Sequence, residues 1–176
     1  MIVDDKLIVG ISVLFCFVAF GRVFQLYIWP RLQDLSPDDA LRILVAPHMF
    51  RFVGLSFLAP GVVSPDMVPA FANPAAYGDL AAAVMAVIAS FALTARASWA
   101  LGFVWLLNIE GTFDCLLAYY QGVVGVSLPP GALGATFYIP TLIVPPLLVT
   151  HLAMYRILSD PRRVAEASPQ GGMPSR

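Results

Sequence analysis

The chain has 176 residues, of which 59% are hydrophobic and only 12% charged, with a formal net charge of −1. Soluble domains carry about 25% charged residues, so the charges here are too few to coat a globule in water, and lipid must be the solvent for much of the surface. A near-neutral balance without a basic block excludes nucleic acid as a partner, and Cys16 and Cys115, both in apolar stretches at no metal or redox spacing, read as packing residues.

Five stretches reach the roughly 20 apolar residues that a membrane span requires, at about 6–29, 43–63, 77–95, 98–120 and 134–157. The predicted fold class is therefore all-α, an integral membrane bundle of five transmembrane helices forming one membrane domain over residues 1–158. The first span follows MIVDDK, which is net acidic, and its apolar run is too long for a signal-peptide core, so it is read as retained. Ahead of the second span, Ser36 can cap, Pro37 suits the first helical position, and Asp38 and Asp39 favour the positive end of the dipole. Within that span Pro47 removes a backbone hydrogen bond, and a kink is expected there. The third span, DLAAAVMAVIASFALTA, is alanine-rich and suited to close helix contacts. The fourth carries polar groups on two sides and is expected to be the central helix. In the fifth, Pro140, Pro145 and Pro146 should bend the helix around a cavity. Residues 159–176 are polar and rich in Pro and Gly, and a disordered cytoplasmic tail is expected.

Loop charges give an orientation. Arg31, Arg42, Arg96, Arg156, Arg162, Arg163 and Arg176 fall on one side of a five-span chain, while the second and fourth connections carry no Lys or Arg. Because basic loops stay in the cytoplasm, the N-terminus is expected outside and the C-terminus in the cytoplasm of a bacterial inner (cytoplasmic) membrane. Lys6 is then the one base outside. Trp29, Trp99, Tyr119, Tyr120 and Tyr155 fall near the expected interfaces, as aromatic belts do.

Polar residues at membrane depth cost about 2.5–3.5 kcal/mol each on insertion scales and usually face the interior of a bundle. Glu110 and Asp114 lie one turn apart on the fourth span, with Gln121 on the same arc, and Asn108, Thr112, Cys115 and Tyr119 form a second polar stripe. Two carboxyls this close in low dielectric disfavour joint ionisation, which makes Glu110 and Asp114 a candidate acid/base pair for catalysis. Asn108, Thr112 and Tyr138 join them as candidate ligand-binding groups, with Asp79 at similar depth. Toward the cytoplasmic side lie His48 and Arg51, one turn apart after Pro47, and His151 at matching depth on the fifth span. Arg22 and Gln25 fall in that layer too. Arg51 is too far from its helix end to reach water, so it requires an anionic partner, and Glu110 and Asp114 are the deep ones expected.

No P-loop, GxGxxG, HExxH, GxSxG or EF-hand pattern is present. The reading that uses most of these residues is a membrane protein with an inward-facing pocket for a lipophilic small molecule, with acid–base chemistry of the isomerase or cyclase kind. Membrane lipids or such a ligand are the expected partners, and an oligomer or larger complex is compatible with it. Two other readings use fewer residues. One is an electron-transfer subunit binding quinone or haem b, the latter through His48 and His151. The other is a structural or accessory subunit whose polar groups hold helices together. No metal site is expected, because third and fourth ligands are missing at the depth of the histidines.

Overall fold

Inside lipid every backbone N–H and C=O must be satisfied within the protein, which leaves helices or closed barrels. The computed structural model, which describes residues 5–161, is built of helices, with no strand among the described residues. Five are long and apolar enough to cross a membrane: α1 (Lys6–Gln33), α2 (Pro37–Leu58), α3 (Pro69–Thr94), α4 (Ala100–Gly125) and α5 (Ile139–Leu158). Each turns large apolar side chains outward, among them Phe15, Phe50, Phe91, Phe113 and Leu152. Lys6 and the connections over 59–68 and 126–138 lie at one end of the bundle, and the other two connections lie at the opposite end. Of the expected tail, residues 162–176 lie outside the described residues.

The start of α2 follows from its sequence. Ser36 Oγ accepts the Asp39 backbone N–H at 3.2 Å, Pro37 opens the helix, and Arg42 pairs with Asp39 at 3.1 Å. The expected kink at Pro47 is instead a change of winding. The α-helix ends at Val45, and Ala46–Leu58 continue as a 13-residue 3-10 helix.

Several expected boundaries move, beginning with the second span, which runs Pro37–Leu58 and not 43–63. The third helix begins at Pro69 rather than near 77, because Pro69 takes the first-turn position and Pro74 is accommodated inside the helix. The fifth begins at Ile139 rather than 134, since Pro130–Phe137 form a separate 3-10 turn in which Gly134 has φ 53°. A Cβ at Gly134 would strike the Val62 carbonyl, so glycine is required where this loop closes on the 59–64 loop. Ala135 N–H to Val62 O at 2.9 Å and Ser64 N–H to Ala132 O at 3.1 Å tie the two together.

Alanine makes α3 thin. Ala72, Ala75, Ala76, Ala82, Ala83, Ala86 and Ala89 are buried along one stripe that packs most closely on the 3-10 half of α2. Small side chains let the backbones approach, which is where contact energy between membrane helices comes from. The expectation that the fourth span is central is corrected: Leu106, Ile109, Phe113, Leu116 and Tyr120, spaced three and four apart, are each more than half exposed. That stripe suits lipid. The most enclosed helix is α5, with 56% of its apolar window buried against 33% for α4.

Prolines in α5 recruit donors from its neighbours. Val144 N–H bonds to Ile139 O in a π turn, which leaves the Pro140 carbonyl free to accept Tyr119 OH from α4 at 2.6 Å. Pro146 has no N–H for the Leu142 carbonyl, and that carbonyl accepts the Cys16 thiol of α1 at 3.6 Å. At the other end, the Arg156 guanidinium lies 4.9 Å over the Trp29 ring and clips α1 to α5.

Candidate functional site

The 3-10 winding of α2 aligns the site. Three residues per turn put every third side chain in register, and the buried residues of this segment are His48, Arg51, Gly54 and Phe57. In an α-helix the same four would drift by about 60° per step and end on opposite sides. Here they form one straight face, running from a histidine layer through a cation to an aromatic wall.

Arg51 is 1% exposed and holds three helices together. Its Nε donates to Asp79 Oδ1 on α3 at 2.8 Å, its Nη2 donates to Asp114 Oδ2 on α4, and its Nη1 reaches the Gly111 carbonyl at 3.3 Å. Glycines make the approach possible. A Cβ on Gly54 would lie 2.6 Å from the Asp79 Cβ, one on Gly78 would lie 2.6 Å from the Asp114 Cγ, and one on Gly111 would lie 2.7 Å from both Arg51 Nη1 and the His151 ring. Real Cβ atoms do not sit that close, so each acidic or basic group rests on a bare backbone.

Behind Arg51, away from the connections over 59–68 and 126–138, lies a second buried layer. His151 Nδ1 donates to Asn108 Oδ1 at 2.6 Å, which leaves its Nε2 as the bare acceptor. Thr150 OH donates to Leu147 O at 2.8 Å and accepts His48 Nε2–H at 2.9 Å, so His48 keeps its lone pair on Nδ1. The two rings meet at 4.2 Å between centroids and 51° between planes, and Tyr155 OH closes the layer on the Asn108 carbonyl at 3.1 Å. Each imidazole thus has one nitrogen engaged by a neighbour and one, His48 Nδ1 and His151 Nε2, without a hydrogen-bond partner among the described residues. With their centroids 4.2 Å apart, the two rings as they stand leave no slot for a macrocycle between them. Among the described residues no group of three or more His, Cys, Asp or Glu could hold a metal ion.

On the other side of Arg51 is a cavity of about 350 Å³. Arg51, Asp79 and Asp114 form its floor. The walls are apolar: Val9, Gly10 and Val13 of α1, Phe57 of α2, Phe71 and Ala75 of α3, Cys115, Ala118, Tyr119, Gly122 and Val123 of α4, and Ile139, Pro140 and Val144 of α5. Leu128, Pro130 and Leu133 cover the end nearest the loops, where Lys6 also reaches the lining and bonds to Ser127 Oγ at 3.1 Å. α1 packs chiefly against α5, and the cavity lies between α1 and α4. Size and lining match the apolar pockets with a few convergent polar groups that hold small molecules.

Of the candidate catalytic and ligand-binding residues named from the sequence, Arg51 and Asp114 line this cavity, and Asp79, Cys115 and Tyr119 line it with them. Asn108, His48 and His151 belong to the buried layer beneath it. Thr112 turns back to the Asn108 carbonyl at 2.7 Å and stays off the cavity wall. Glu110 is half-buried beside the site, with Oε2 buried and no hydrogen bond to it among the described residues. Tyr138 is 63% exposed, packed edge-on to Phe137, and does not join the site. It was expected at the depth of the acids because the fifth span was started five residues early. Asp79 is the partner of Arg51 that sequence reading set at similar depth to Glu110 and Asp114 but did not pair with it. With the helix beginning at Pro69, Asp79 lies ten residues in, about 15 Å from its start, and not at an interface. The signal was present in the alanine stripe, which passes through position 79 in its own spacing.

The chain belongs to the family described as Domain of unknown function (DUF8737), which matches residues 8–159. No curated protein and no solved structure matches it.

Proposed function

We propose that this member of that family is a multi-pass membrane protein that holds a lipophilic small molecule in the cavity between α1 and α4, with Asp114 as the acid–base group facing the ligand. The observation that carries this reading is the cavity itself, with apolar walls on all five helices and one charged end formed by Arg51, Asp79 and Asp114. A ligand buried there meets hydrocarbon along its length and proton-exchanging oxygens at its tip. Glu110, one turn along α4 and off the cavity wall, would act through Asp114 and not on the ligand. A lipophilic molecule would enter sideways from the bilayer, past the α1 face formed by Val9, Gly10 and Val13.

Filling the cavity tests this directly. The wild-type protein, purified in mild detergent, should carry a lipophilic molecule of defined mass in native mass spectrometry. Ala118→Trp should lose it while its unfolding midpoint stays unchanged. Equal loading of both proteins would place the molecule outside the cavity.

The bundle is further proposed to sit in a bacterial inner membrane with the Lys6 end outside, supported by the arginines at the opposite end. A reporter active only outside the cytoplasm should work when fused after Pro65 and be silent when fused after Arg163. The reverse pattern would invert the protein and put the cavity on the cytoplasmic half.

A further inference from the structure

We propose that the cavity selects an amphiphile with a cationic, hydrogen-bond-donating head of the primary alkylammonium class, seated head-down on Asp79 and Asp114 with its chain along the apolar walls. This rests on the cavity being the ligand site, and it adds which end of the ligand enters and with what charge.

Three observations on the floor lead there. The groups are unequal in number, because one guanidinium faces two carboxyl groups. The exposure is unequal as well: the Arg51 side chain is 1% exposed, whereas those of Asp79 and Asp114 are 11% and 13% exposed. A ligand reaching the floor therefore meets the two carboxyl side chains more than the guanidinium. Finally, the hydrogen bonds from Arg51 use Asp79 Oδ1 and Asp114 Oδ2, and no hydrogen bond from the described residues reaches Asp79 Oδ2 or Asp114 Oδ1. Each carboxylate oxygen has lone pairs for more than one donor. Asp79 Oδ2 lies against Gly54 and Asp114 Oδ1 against Gly78, and both keep lone pairs for the N–H donors of a positively charged head at the cavity floor.

The opposite arrangement is disfavoured by the same geometry. An anionic amphiphile would leave its head near Lys6 and press its hydrocarbon tail on the carboxylates. That removes water from charged oxygens and offers them nothing in return. A neutral alcohol supplies one donor and no charge, and charged hydrogen bonds are roughly twice as strong as neutral ones.

The test uses the full chain in phosphatidylcholine nanodiscs, with empty nanodiscs subtracted, titrated calorimetrically with dodecylamine hydrochloride, dodecanol and dodecanoate. Dodecylammonium should bind tighter than dodecanol by about tenfold or more, the scale of one charge-assisted hydrogen bond, and dodecanoate should bind weakest. In Asp114→Asn, or in Asp79→Asn should the first not fold, the preference for the amine over the alcohol should shrink by about the same factor. Equal binding of amine and alcohol, or a preference for dodecanoate, overturns the charge selection while leaving the cavity reading intact. Binding of the amine that Ala118→Trp does not weaken overturns the site itself.

Discussion

Arg51→Leu should destabilise the bundle by about 3–5 kcal/mol, the cost of removing one partner from a buried ion network and stranding the others. The loss arises mainly from what remains. Asp79 and Asp114 would face each other across a leucine, and α2, α3 and α4 would lose their common tie through the guanidinium. The triple variant Arg51→Leu, Asp79→Asn, Asp114→Asn should recover most of the stability, because replacing a whole buried network is often close to neutral. Thermal unfolding in one mild detergent measures both. A triple variant no more stable than Arg51→Leu alone would mean that Arg51 acts by packing, with its aliphatic stem filling space between the glycines. Stability and ligand binding should separate in this series, since the triple variant keeps its fold yet loses the charged floor.

Gly111→Ala should cost about 1–3 kcal/mol, the range for overpacking a filled interior. The added methyl would lie 2.7 Å from Arg51 Nη1 and from the His151 ring. Neither neighbour can yield: Arg51 is bonded on both flanks, and His151 is held by Asn108 at 2.6 Å. Gly102→Ala on the same helix, with nothing within 4 Å of its Cβ, should instead stabilise by about 0.5–1 kcal/mol through helix propensity. The two substitutions have identical chemistry and should move the unfolding midpoint in opposite directions. Equal shifts would show that glycine at 111 serves backbone flexibility and not the close approach of two side chains.

What could be read in the sequence alone is governed by composition and local chemistry. Too few charges for water and apolar runs of span length lead to a five-helix membrane chain. Ser36-Pro37-Asp38-Asp39 specifies the start of α2 because a cap and a dipole act within one turn. Arg51 could be recognised as needing a buried acid, because a charge so far from a helix end has no route to water. The tertiary structure decided the rest, and each case has the same cause. Whether Pro47 kinks α2 or rewinds it depends on neighbours that take up the released backbone groups, so the face aligning His48, Arg51, Gly54 and Phe57 has a period of three that an α-helical reading scatters. A start near 77 leaves Asp79 in the first turn of the third helix and out of the count of deep acids, whereas the helix runs from Pro69 through Pro74 and carries Asp79 inward. Glu110 and Asp114 share an arc in sequence, but Asp114 was drawn to the cavity floor by Arg51 and Gly78, while Glu110 stayed outside it. Side chains one turn apart on a helix share a local environment only until another helix packs against one of them, and that choice is made by contacts remote in the chain.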